Sequence, residues 1–514
     1  MATEVLIVGA GPTGLVLALW LARLGVSIRV VDKSAGPGET SRAIAVHART
    51  LEIYAQLGIA GDVVARGIKL AALTLRRDGR RVAQLPLGDI GAGLSPFPYV
   101  LSYPQDLHER LLVDALARIG VRVERTTELV SLEQEGDGVR ATLRTPRGDE
   151  QVRAAYLCGC DGAASMARHL VGADFPGGTY QHVFYVADAP VPSEVAARGA
   201  QVCLSTRDFC LIFPVRDART VRLIGIVPQQ YEQRDDLRFA DVAEAIRQTT
   251  GLGVETVNWF SSYRVHHRVA THFRFGRVFL LGDAGHIHSP AGGQGMNTGI
   301  GDAANLGWKL AAVVQGRGAA TLLDTYEPER IAFARTLVAT TDRFFRLIAS
   351  RTALGGVVRA YLLPLVLPIV MRIPGVLRLA FRGVSQTAIR YRESALSGGA
   401  AGGVHGGDRL PWVPETGTDG GDNFAFLAAL DWQVHVYGRA SDGVRALART
   451  HGVAVHELPW NAAVSAAGLA RDAAYLLRPD GYVALAAAPG DDAALAAHLA
   501  RFAIVPRPRQ AGAA

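Results

Sequence analysis

The first 32 residues carry the pattern that most restricts the fold: an apolar run, three spaced glycines, a helical repeat and a second apolar run that ends in an acid. In such a unit Gly9 makes the tight turn, Gly11 lets a pyrophosphate approach the backbone, and Gly14 allows close helix packing. The helix N-terminus would face the phosphates, and Asp32 would accept a hydrogen bond from a ribose hydroxyl. The pattern therefore predicts a βαβ unit that binds a dinucleotide.

A second glycine cluster follows an apolar strand at residues 277–281 and precedes a helical repeat. Gly292, Gly293 and Gly295 would weaken a helix, so their presence indicates that something approaches the backbone closely. A planar ring would lie on this backbone, and Asp283 would accept hydrogen bonds from ribityl hydroxyls. A reduced flavin is anionic, and the positive helix N-terminus would stabilise it. The two clusters together predict FAD rather than NAD.

Length and composition indicate a globular enzyme of two or three domains. The chain has 514 residues, of which 49% are hydrophobic and 20% charged, and its formal net charge is +7. These proportions are typical of a folded protein that is too long for a single core. The arginines are scattered, and no basic stripe interleaved with aromatic residues is present. We therefore predict no nucleic-acid partner and interpret the positive charge as attracting an anionic cofactor.

The four cysteines form no CxxC pair and no zinc spacing, and the N-terminus resembles no secretion signal. Both observations favour a reducing, cytoplasmic location. Residues 361–371 form an apolar run that is shorter than a bilayer-spanning helix and contains Pro364 and Pro368. We predict no membrane span and expect a buried helix or the wall of an apolar pocket. Peripheral contact with a membrane is the less favoured alternative.

The coarse pattern predicts an α/β fold in several parts. Residues 1–171 would form the first part of a Rossmann-like, three-layer FAD-binding domain with an embedded hairpin at residues 73–85, and residues 271–397 would complete it with helices. Residues 172–270 are mostly β in pattern and would form an inserted substrate-binding domain. Residues 398–514 would be a small α/β domain, preceded by a glycine-rich linker.

Three ordered motifs resemble those of a known family. They are GxGxxG at residues 9–14, CDGxxSxxR at residues 160–168 and GDAxHxxxPxGGQGMNTGIxDAxNLxWKL at residues 282–310. Together they resemble the FAD-dependent aromatic hydroxylases of the p-hydroxybenzoate hydroxylase type. Among these, the chain is similar to the aromatic polyketide hydroxylases and phenol-hydroxylase-like enzymes, which carry a C-terminal thioredoxin-like domain. RPDGYVA at residues 478–484 fits that domain, and the absence of CxxC implies that it has no redox activity.

The resemblance implies how the cofactor is held. Arg42 and Gln105 would contact FAD, and Asp161 would serve both FAD and a transient nicotinamide. Asp283 would bind the ribityl chain, and Pro290 would lie between flavin and substrate, with its carbonyl aligning the aromatic ring. The second glycine cluster adds further FAD contacts: Gly293, Gly295, Met296 and Asn297. NADPH or NADH would be the electron donor and would have no domain of its own.

The implied reaction transfers one oxygen atom of O2, by way of a flavin hydroperoxide, to a phenolic, polycyclic substrate. A proton acceptor would make the phenol ring more nucleophilic. The segment between Arg42 and Arg49 contains no carboxylate, unlike relatives that act on simple phenols. His47, Tyr185, or direct chemistry on an already acidic polyphenol are the open alternatives. An apolar β segment would keep water from the oxygenating species: Phe184, Tyr185, Phe209, Leu211 and Phe213.

Two other functions stay open on the sequence. One is epoxidation of an alkene, for which residues 362–369 would line a channel. The other is a FAD-bound protein that sequesters an unstable intermediate for a partner enzyme and turns over little. We predict no metal site, because His286 and His288 lack third and fourth ligands. The expected partners are a small aromatic molecule and O2, in a monomer or a homodimer.

Overall fold

The computed structural model describes residues 3–38, 43–217, 219–289, 291–349, 352–373, 375–416 and 421–507. The strands in these residues are numbered in chain order: β1 (Thr3–Val8), β2 (Ile28–Val31), β3 (Ala45–Val46), β4 (Ile68–Lys69), β5 (Ala72–Arg77), β6 (Arg80–Pro86), β7 (Leu101–Ser102), β8 (Val123–Glu124), β9 (Glu128–Glu135), β10 (Gly138–Thr145), β11 (Gly148–Gly159), β12 (Gly177–Pro190), β13 (Ala200–Leu204), β14 (Phe209–Pro214), β15 (Thr220–Ile226), β16 (Trp259–Val269), β17 (Arg274–Phe275), β18 (Val278–Leu280), β19 (His286–Ile287), β20 (Gly398–Ala401), β21 (Val404–His405), β22 (Gln433–Tyr437), β23 (Ala454–Leu458), β24 (Ala474–Leu477) and β25 (Val483–Ala487).

The helices of the described residues are numbered in the same way: α1 (Pro12–Arg23), α2 (Ala48–Gln56), α3 (Ala60–Arg66), α4 (Gln105–Arg118), α5 (Met166–Leu170), α6 (Ser193–Ala196), α7 (Phe239–Thr250), α8 (Gly295–Val314), α9 (Tyr326–Ala349), α10 (Ala353–Val357), α11 (Leu363–Val370), α12 (Val376–Val384), α13 (Asp442–His451), α14 (Ala462–Ala466) and α15 (Asp492–Arg501). The molecule is a mixed α/β protein with several sheets, as the sequence predicts.

The first sheet brings the three sequence motifs to one edge. Its central strands run parallel in the order β18–β11–β1–β2–β8. The pairing register sets Val8 beside Gly159 and Gly159 beside Leu280, so three strands end side by side. Each of these strand ends leads directly into one of the motifs. Because ligands of open parallel sheets bind at the carboxyl ends of the strands, this edge is the candidate site.

The second sheet has eight strands in the order β19–β16–β12–β15–β14–β13–β5–β6. The hairpin predicted at residues 73–85 is present, with Asp78 and Gly79 at its turn in left-handed backbone conformations. However, β5 pairs parallel with β13, so the hairpin belongs to this sheet and not to the first one. Its position depends on pairing between distant segments, which the local sequence pattern does not contain.

The third sheet contains six strands in the order β21–β20–β25–β24–β22–β23. The glycine-rich residues expected to be a linker form β20 and β21 instead. Gly399 has a φ of +67°, and a Cβ there would lie 2.3 Å from the carbonyl oxygen of Ala486. These glycines therefore permit close approach to β25 and do not serve as a flexible tether. The thioredoxin-like assignment of this domain stays a prediction.

The apolar run at residues 361–371 belongs to a longer helical stretch made of α10, a π-helical turn at Val358–Leu362, and α11. Within the described residues, Ala353–Val370 is one stretch that is long and apolar enough to cross a membrane by length and composition. The expectation of too short a run was therefore wrong, because the helix begins earlier than the apolar pattern. The absence of a membrane span stays a prediction.

Candidate cofactor and active site

The first glycine loop has the shape that a pyrophosphate needs. A Cβ on Gly9 would lie 2.3 Å from the carbonyl oxygen of Cys160, and one on Gly14 would lie 2.0 Å from the carbonyl oxygen of Gly9. Around Gly11, in contrast, nothing lies within 4 Å of the equivalent position. Helix α1 begins after Gly11 without a side-chain cap. Its first N–H groups are thus available to an anion on the open side of the loop.

Asp32 lies at this loop, and its carboxylate organises the backbone. One oxygen accepts a hydrogen bond from the N–H of Ala10 at 2.7 Å, and the other accepts from the N–H of Ser34 at 2.7 Å. Arg125 approaches the same carboxylate at 3.7 Å and donates to the carbonyl oxygen of Gly36 at 3.2 Å. Asp32 therefore shapes the turn in addition to its predicted contact with ribose. Sequence reasoning missed Arg125.

The two glycine clusters meet at Thr13. A Cβ on Gly282 would lie 2.6 Å from the Thr13 hydroxyl oxygen, and one on Gly299 would lie 2.2 Å from the same atom. Thr13 of α1 therefore packs closely on Gly299 of α8 and on the turn after β18 that contains Gly282, because glycine occupies both positions. The two helix dipoles add their positive ends in one region, which favours a cofactor with two negatively charged parts.

A buried ionic network holds the start of the second cluster. Asp302 accepts hydrogen bonds from the N–H of Gly282 at 2.9 Å, from His286 Nε2 at 2.7 Å and from Arg330 Nε at 2.6 Å. Burial by itself would raise the pKa of the Asp302 carboxyl, but the charges of Arg330 and His286 hold that pKa below its ordinary value. Asp302 is thus an anion that fixes the loop of Asp283. Arg330 has no local sequence signal, since it joins Asp302 only through the packing of α9 on α8.

His47 and Asn297 fix the other side of the cluster. The Asn297 side chain accepts from the His47 N–H at 2.9 Å and from the Thr50 hydroxyl at 2.7 Å, and it donates to the carbonyl oxygens of Ala45 and Gly293, both at 2.9 Å. The side chain predicted to contact FAD therefore has protein partners at both its oxygen and its nitrogen. It ties the loop before α2 to the glycine cluster.

Two buried imidazoles flank the glycine cluster with unused nitrogens. His47 Nε2 lies 2.9 Å from the carbonyl oxygen of Gly292, whereas Nδ1 has no partner among the described residues. His288 Nδ1 lies 2.7 Å from the carbonyl oxygen of Ser289, and its Nε2 is likewise without a partner there. Burial lowers the pKa of each ring to about 4, so both are neutral at pH 7. Unpartnered buried nitrogens beside bare backbone fit a polar ring system such as a flavin.

Comparisons with known proteins agree with this geometry. A family profile described as "FAD binding domain" matches residues 2–341. The 6-methylpretetramide 4-monooxygenase of Streptomyces rimosus is 34% identical over 99% of this chain and 95% of its own length. This chain belongs to the FAD-binding family of flavin-dependent monooxygenases.

Other relatives of this monooxygenase span different chemistries. The solved structure of the anhydrotetracycline hydroxylase OxyS from Streptomyces rimosus superimposes with a TM-score of 0.79 at 30% identity, covering 99% of this chain and 100% of that one. A dialkyldecalin synthase from Streptomyces rugosporus is 35% identical over 69% of this chain and 75% of its own length. The fold class and the FAD cofactor predicted from the sequence are therefore confirmed.

The remaining predicted FAD contacts of the monooxygenase take the following positions. The amide oxygen of Gln105 lies 3.4 Å from the N–H of Ala43, and its amide nitrogen donates to Glu109 at 2.8 Å. Asp161 accepts hydrogen bonds from the Ser165 hydroxyl and from the N–H of Ala167 at the start of α5. Asp283 is exposed at the strand edge, and Met296 is half-buried on the main core. Arg42 and Pro290 lie outside the described residues.

Arg168 connects two of the motifs in the monooxygenase. Its guanidinium donates to the carbonyl oxygen of Ala284 at 3.0 Å and to that of Ala163 at 2.8 Å. It also stacks on Phe175, with the guanidinium carbon 4.0 Å from the ring centroid. The loop that carries Asp161 is thereby fixed against the loop that carries Asp283. The arginine of the second motif is a positioning residue for both carboxylates.

Tyr185 occupies a different environment from the one expected of a catalytic residue. It is buried in an apolar cluster with Cys210, Val242 and Ile246, where the last two belong to α7. Its neighbour Phe184 packs on the other side of β12 in a separate cluster. Successive residues of a strand point to opposite faces, which explains the separation. Tyr185 therefore packs in the layer under α7 and not in the cluster of Phe184, and its catalytic role stays a prediction.

An apolar cluster of the monooxygenase lies on the face of the second sheet that carries Phe184. This cluster contains residues from the five strands β12 to β16 and from the start of α11: Phe184, Leu204, Phe209, Ile226 and Val265, with Leu211 and Leu363 packed against them. Three of the five residues predicted for the wall are thus on this face, namely Phe184, Phe209 and Leu211. The edge strand β19 of the same sheet leads directly to the glycine cluster.

Proposed function

We propose that this FAD-dependent monooxygenase hydroxylates a phenolic, polycyclic aromatic substrate of the polyketide type, with NADPH or NADH as electron donor and O2 as oxidant. The observation that carries the proposal is the apolar face around Phe184, which belongs to the sheet whose edge strand leads into Gly292 and Gly293. The full-length similarity to a 6-methylpretetramide monooxygenase supports the same substrate class. A cytoplasmic location and a monomeric or homodimeric state accompany the proposal as predictions.

Bound FAD would supply the activation of O2 after its reduction. The residues of the chain then have three tasks. The glycine loops and the N-termini of α1 and α8 bind the negative charge of the cofactor. Asp302 and Arg330 keep the loop of Asp283 in place, and the Phe184 cluster excludes water. Keeping water out prevents the loss of activated oxygen as hydrogen peroxide. These tasks require no metal ion.

We assign His47 to contact the substrate hydroxyl or the flavin edge. Burial lowers its pKa to about 4, so the ring is neutral at pH 7, and Nδ1 has no partner among the described residues. With Nε2–H donating to the carbonyl oxygen of Gly292, Nδ1 is an acceptor of hydrogen bonds. We propose that it orients a phenol hydroxyl by accepting its hydrogen bond, which suits an acidic polyphenol better than a simple phenol.

The test is anaerobic reduction of the bound flavin by NADPH, followed by absorbance with and without a panel of phenols and polycyclic quinones. The proposal predicts that one polycyclic compound accelerates reduction and gains one oxygen atom when air is admitted. The hydroxylase proposal is contradicted if the flavin is reduced slowly with every compound and no compound changes in mass when air is admitted. A gain of one oxygen on an alkene carbon instead of a ring carbon assigns epoxidation.

A second candidate function is catalysis or sequestration without net oxidation. The similarity to a dialkyldecalin synthase favours it, because that relative is named a synthase and not a monooxygenase, and it matches 69% of this chain. Consumption of NADPH in the presence of substrate separates the two. If the protein converts or binds its ligand equally fast with and without NADPH and O2, its function is the second one, without net oxidation.

A further inference from the structure

The helical segment after the FAD-binding residues exposes many apolar side chains. Leu354 is 74% exposed, Leu365 66%, Ile369 59% and Leu379 69%. Only 28% of the apolar stretch Ala353–Val370 is buried inside the molecule, so this stretch is not a core helix. Proteins rarely leave a contiguous apolar surface open to water unless something covers it. We call this surface, formed by α10, α11 and α12, the apolar helical face.

Basic side chains predominate around the apolar helical face. Residues 343–392 include nine arginines and no aspartate, glutamate or lysine. Of these arginines, Arg359 is buried and Arg390 and Arg392 pair with Asp408, and the exposed Asp78 lies nearby at the turn of the hairpin β5–β6. Arg372 and Arg378, which flank the exposed apolar positions, are themselves exposed. The hairpin β5–β6 packs beside α11 and adds two exposed arginines, Arg80 and Arg81. On the same hairpin, the Arg77 guanidinium lies 4.9 Å from the centre of the Tyr361 ring. Apolar side chains surrounded by arginines complement a partner that is apolar inside and negatively charged at its surface.

One side of the face is anchored to the protein. A Cβ on Gly356 would lie 2.3 Å from the carbonyl oxygen of Thr206, so α10 packs directly on the loop after β13. The buried guanidinium of Arg359 donates to the carbonyl oxygens of Ser205 and Thr206, each at 3.0 Å. This attachment holds the stretch along the surface of the second sheet. A peripheral contact is compatible with it, whereas insertion across a bilayer would require breaking it.

We propose that the apolar helical face docks the monooxygenase on an anionic membrane surface, with Leu365 and Ile369 entering the lipid and the arginines contacting headgroup phosphates. Helices with apolar side chains and basic neighbours bind at such interfaces, and each arginine adds electrostatic attraction. Association with a second copy through the same face is disfavoured, because an isologous contact would bring two arginine-rich surfaces together. The proposal is independent of the substrate.

The experiment is flotation of the full-length, FAD-loaded protein with two kinds of vesicle, phosphatidylcholine alone and an equal mixture of phosphatidylcholine and phosphatidylglycerol. The mixed vesicles should bind the protein at least about tenfold more tightly than the neutral ones, and added salt should weaken the binding. The double variant Leu365→Asp/Ile369→Asp should reduce binding to the mixed vesicles at least about tenfold, since two apolar anchors are lost and two repulsive charges gained.

The matched control is Ile119→Asp/Val505→Asp, which adds the same charge at two apolar side chains that are 45% and 53% exposed elsewhere on the surface. It should leave vesicle binding within about twofold of the unmodified protein. Flavin absorbance and thermal unfolding verify that both variants fold. Absence of vesicle binding, equal binding to both vesicle types, or equal loss in the two variants overturns the proposal. A dimer in sedimentation that only Leu365→Asp/Ile369→Asp dissociates assigns the face to a second copy instead and also overturns it.

Discussion

Gly14 shows how the cofactor loop depends on the absence of a side chain. It does not have an unusual φ; it is required because a Cβ would lie 2.0 Å from the carbonyl oxygen of Gly9. Gly282 and Gly299 have the same kind of role against Thr13. A sequence motif can mark such positions, but the atoms that exclude the side chain come from other segments.

The first prediction is that Gly14→Ala destabilises the protein by about 3 kcal/mol and lowers its FAD content, because the added methyl must push α1 away from the loop. Chemical denaturation and the ratio of flavin to protein absorbance measure the two effects. Gly36→Ala is the matched control, since nothing lies within 4 Å of its added methyl. Equal stability of the two variants would show that the loop relaxes and that the close contact is unimportant.

The second prediction separates the two side chains that the sequence suggested as proton acceptors. His47→Gln should lower kcat at least about tenfold, because it removes the unpartnered Nδ1 beside the glycine cluster. Tyr185→Phe should change kcat by less than about twofold, because its hydroxyl lies in the cluster under α7. Steady-state oxygenation with retained FAD content is the measurement. A loss of kcat in Tyr185→Phe comparable to that in His47→Gln contradicts the assignment.

Helix α2 links the glycine cluster to the C-terminal domain at the scale of elements. It begins after His47, and its buried residue Glu52 accepts two hydrogen bonds from Arg409, at 2.9 and 2.6 Å. Arg49 on the same helix donates to the carbonyl oxygen of Asp480 at 2.6 Å. The RPDGYVA segment therefore contacts the helix that carries the cofactor loop. The C-terminal domain, which has no CxxC, therefore supports the cofactor loop structurally through α2.

The third prediction follows from this contact. Arg409→Met should lower the free energy of unfolding by about 3 kcal/mol and speed FAD release, because it leaves the Glu52 carboxylate buried without its main partner. Arg392→Met is the control: its side chain also pairs with a carboxylate, that of Asp408, but is 36% exposed, so its loss should cost less than about 1 kcal/mol. Denaturant titrations and flavin fluorescence report the two quantities. Similar losses in both variants would exclude a special role for the α2 contact.

On the scale of the whole molecule, several histidines are buried in an uncharged form. Burial lowers the pKa of His108 to about 3 and those of His47 and His288 to about 4. An unfolded histidine titrates near pH 6.5, so between about pH 6.5 and about pH 4 the unfolded chain binds protons that the folded chain does not. These histidines therefore stabilise the fold above about pH 6.5, and their contribution is lost as pH falls toward 4.

The fourth prediction concerns this pH dependence. The free energy of unfolding should fall steadily from about pH 6.5 to about pH 5, by about 1.4 kcal/mol per pH unit for each buried histidine. His108→Gln can keep a hydrogen bond to Tyr54. It should reduce the slope of the unfolding free energy against pH by the contribution of one titrating histidine. Further loss is expected below about pH 4, because the carboxyls of Glu52 and Asp302 bind protons there in the unfolded chain, whereas neighbouring arginines hold the pKa values of both below their ordinary values in the folded protein. A slope unchanged in His108→Gln would contradict the account.

Much of the local structure was predictable because its signals are contiguous. The βαβ unit and the hairpin at residues 73–85 follow from apolar periodicity and turn residues, and the structure has both near the predicted bounds. The sheet to which the hairpin belongs and the strands within the glycine-rich stretch were not predictable. Both depend on partners far along the chain, and glycines needed for close packing resemble glycines of a flexible linker.

The sequence by itself determined which cofactor the protein binds, because a glycine motif marks the positions where a phosphate or a planar ring contacts backbone that carries no side chain. Only the tertiary structure decided which side chains share the site. It aligned the ends of β1, β11 and β18 so that three distant motifs meet, joined Arg330 to Asp302, and turned Tyr185 away from Phe184. Contacts of this kind arise from strand register and helix packing, which a local pattern along the chain cannot encode.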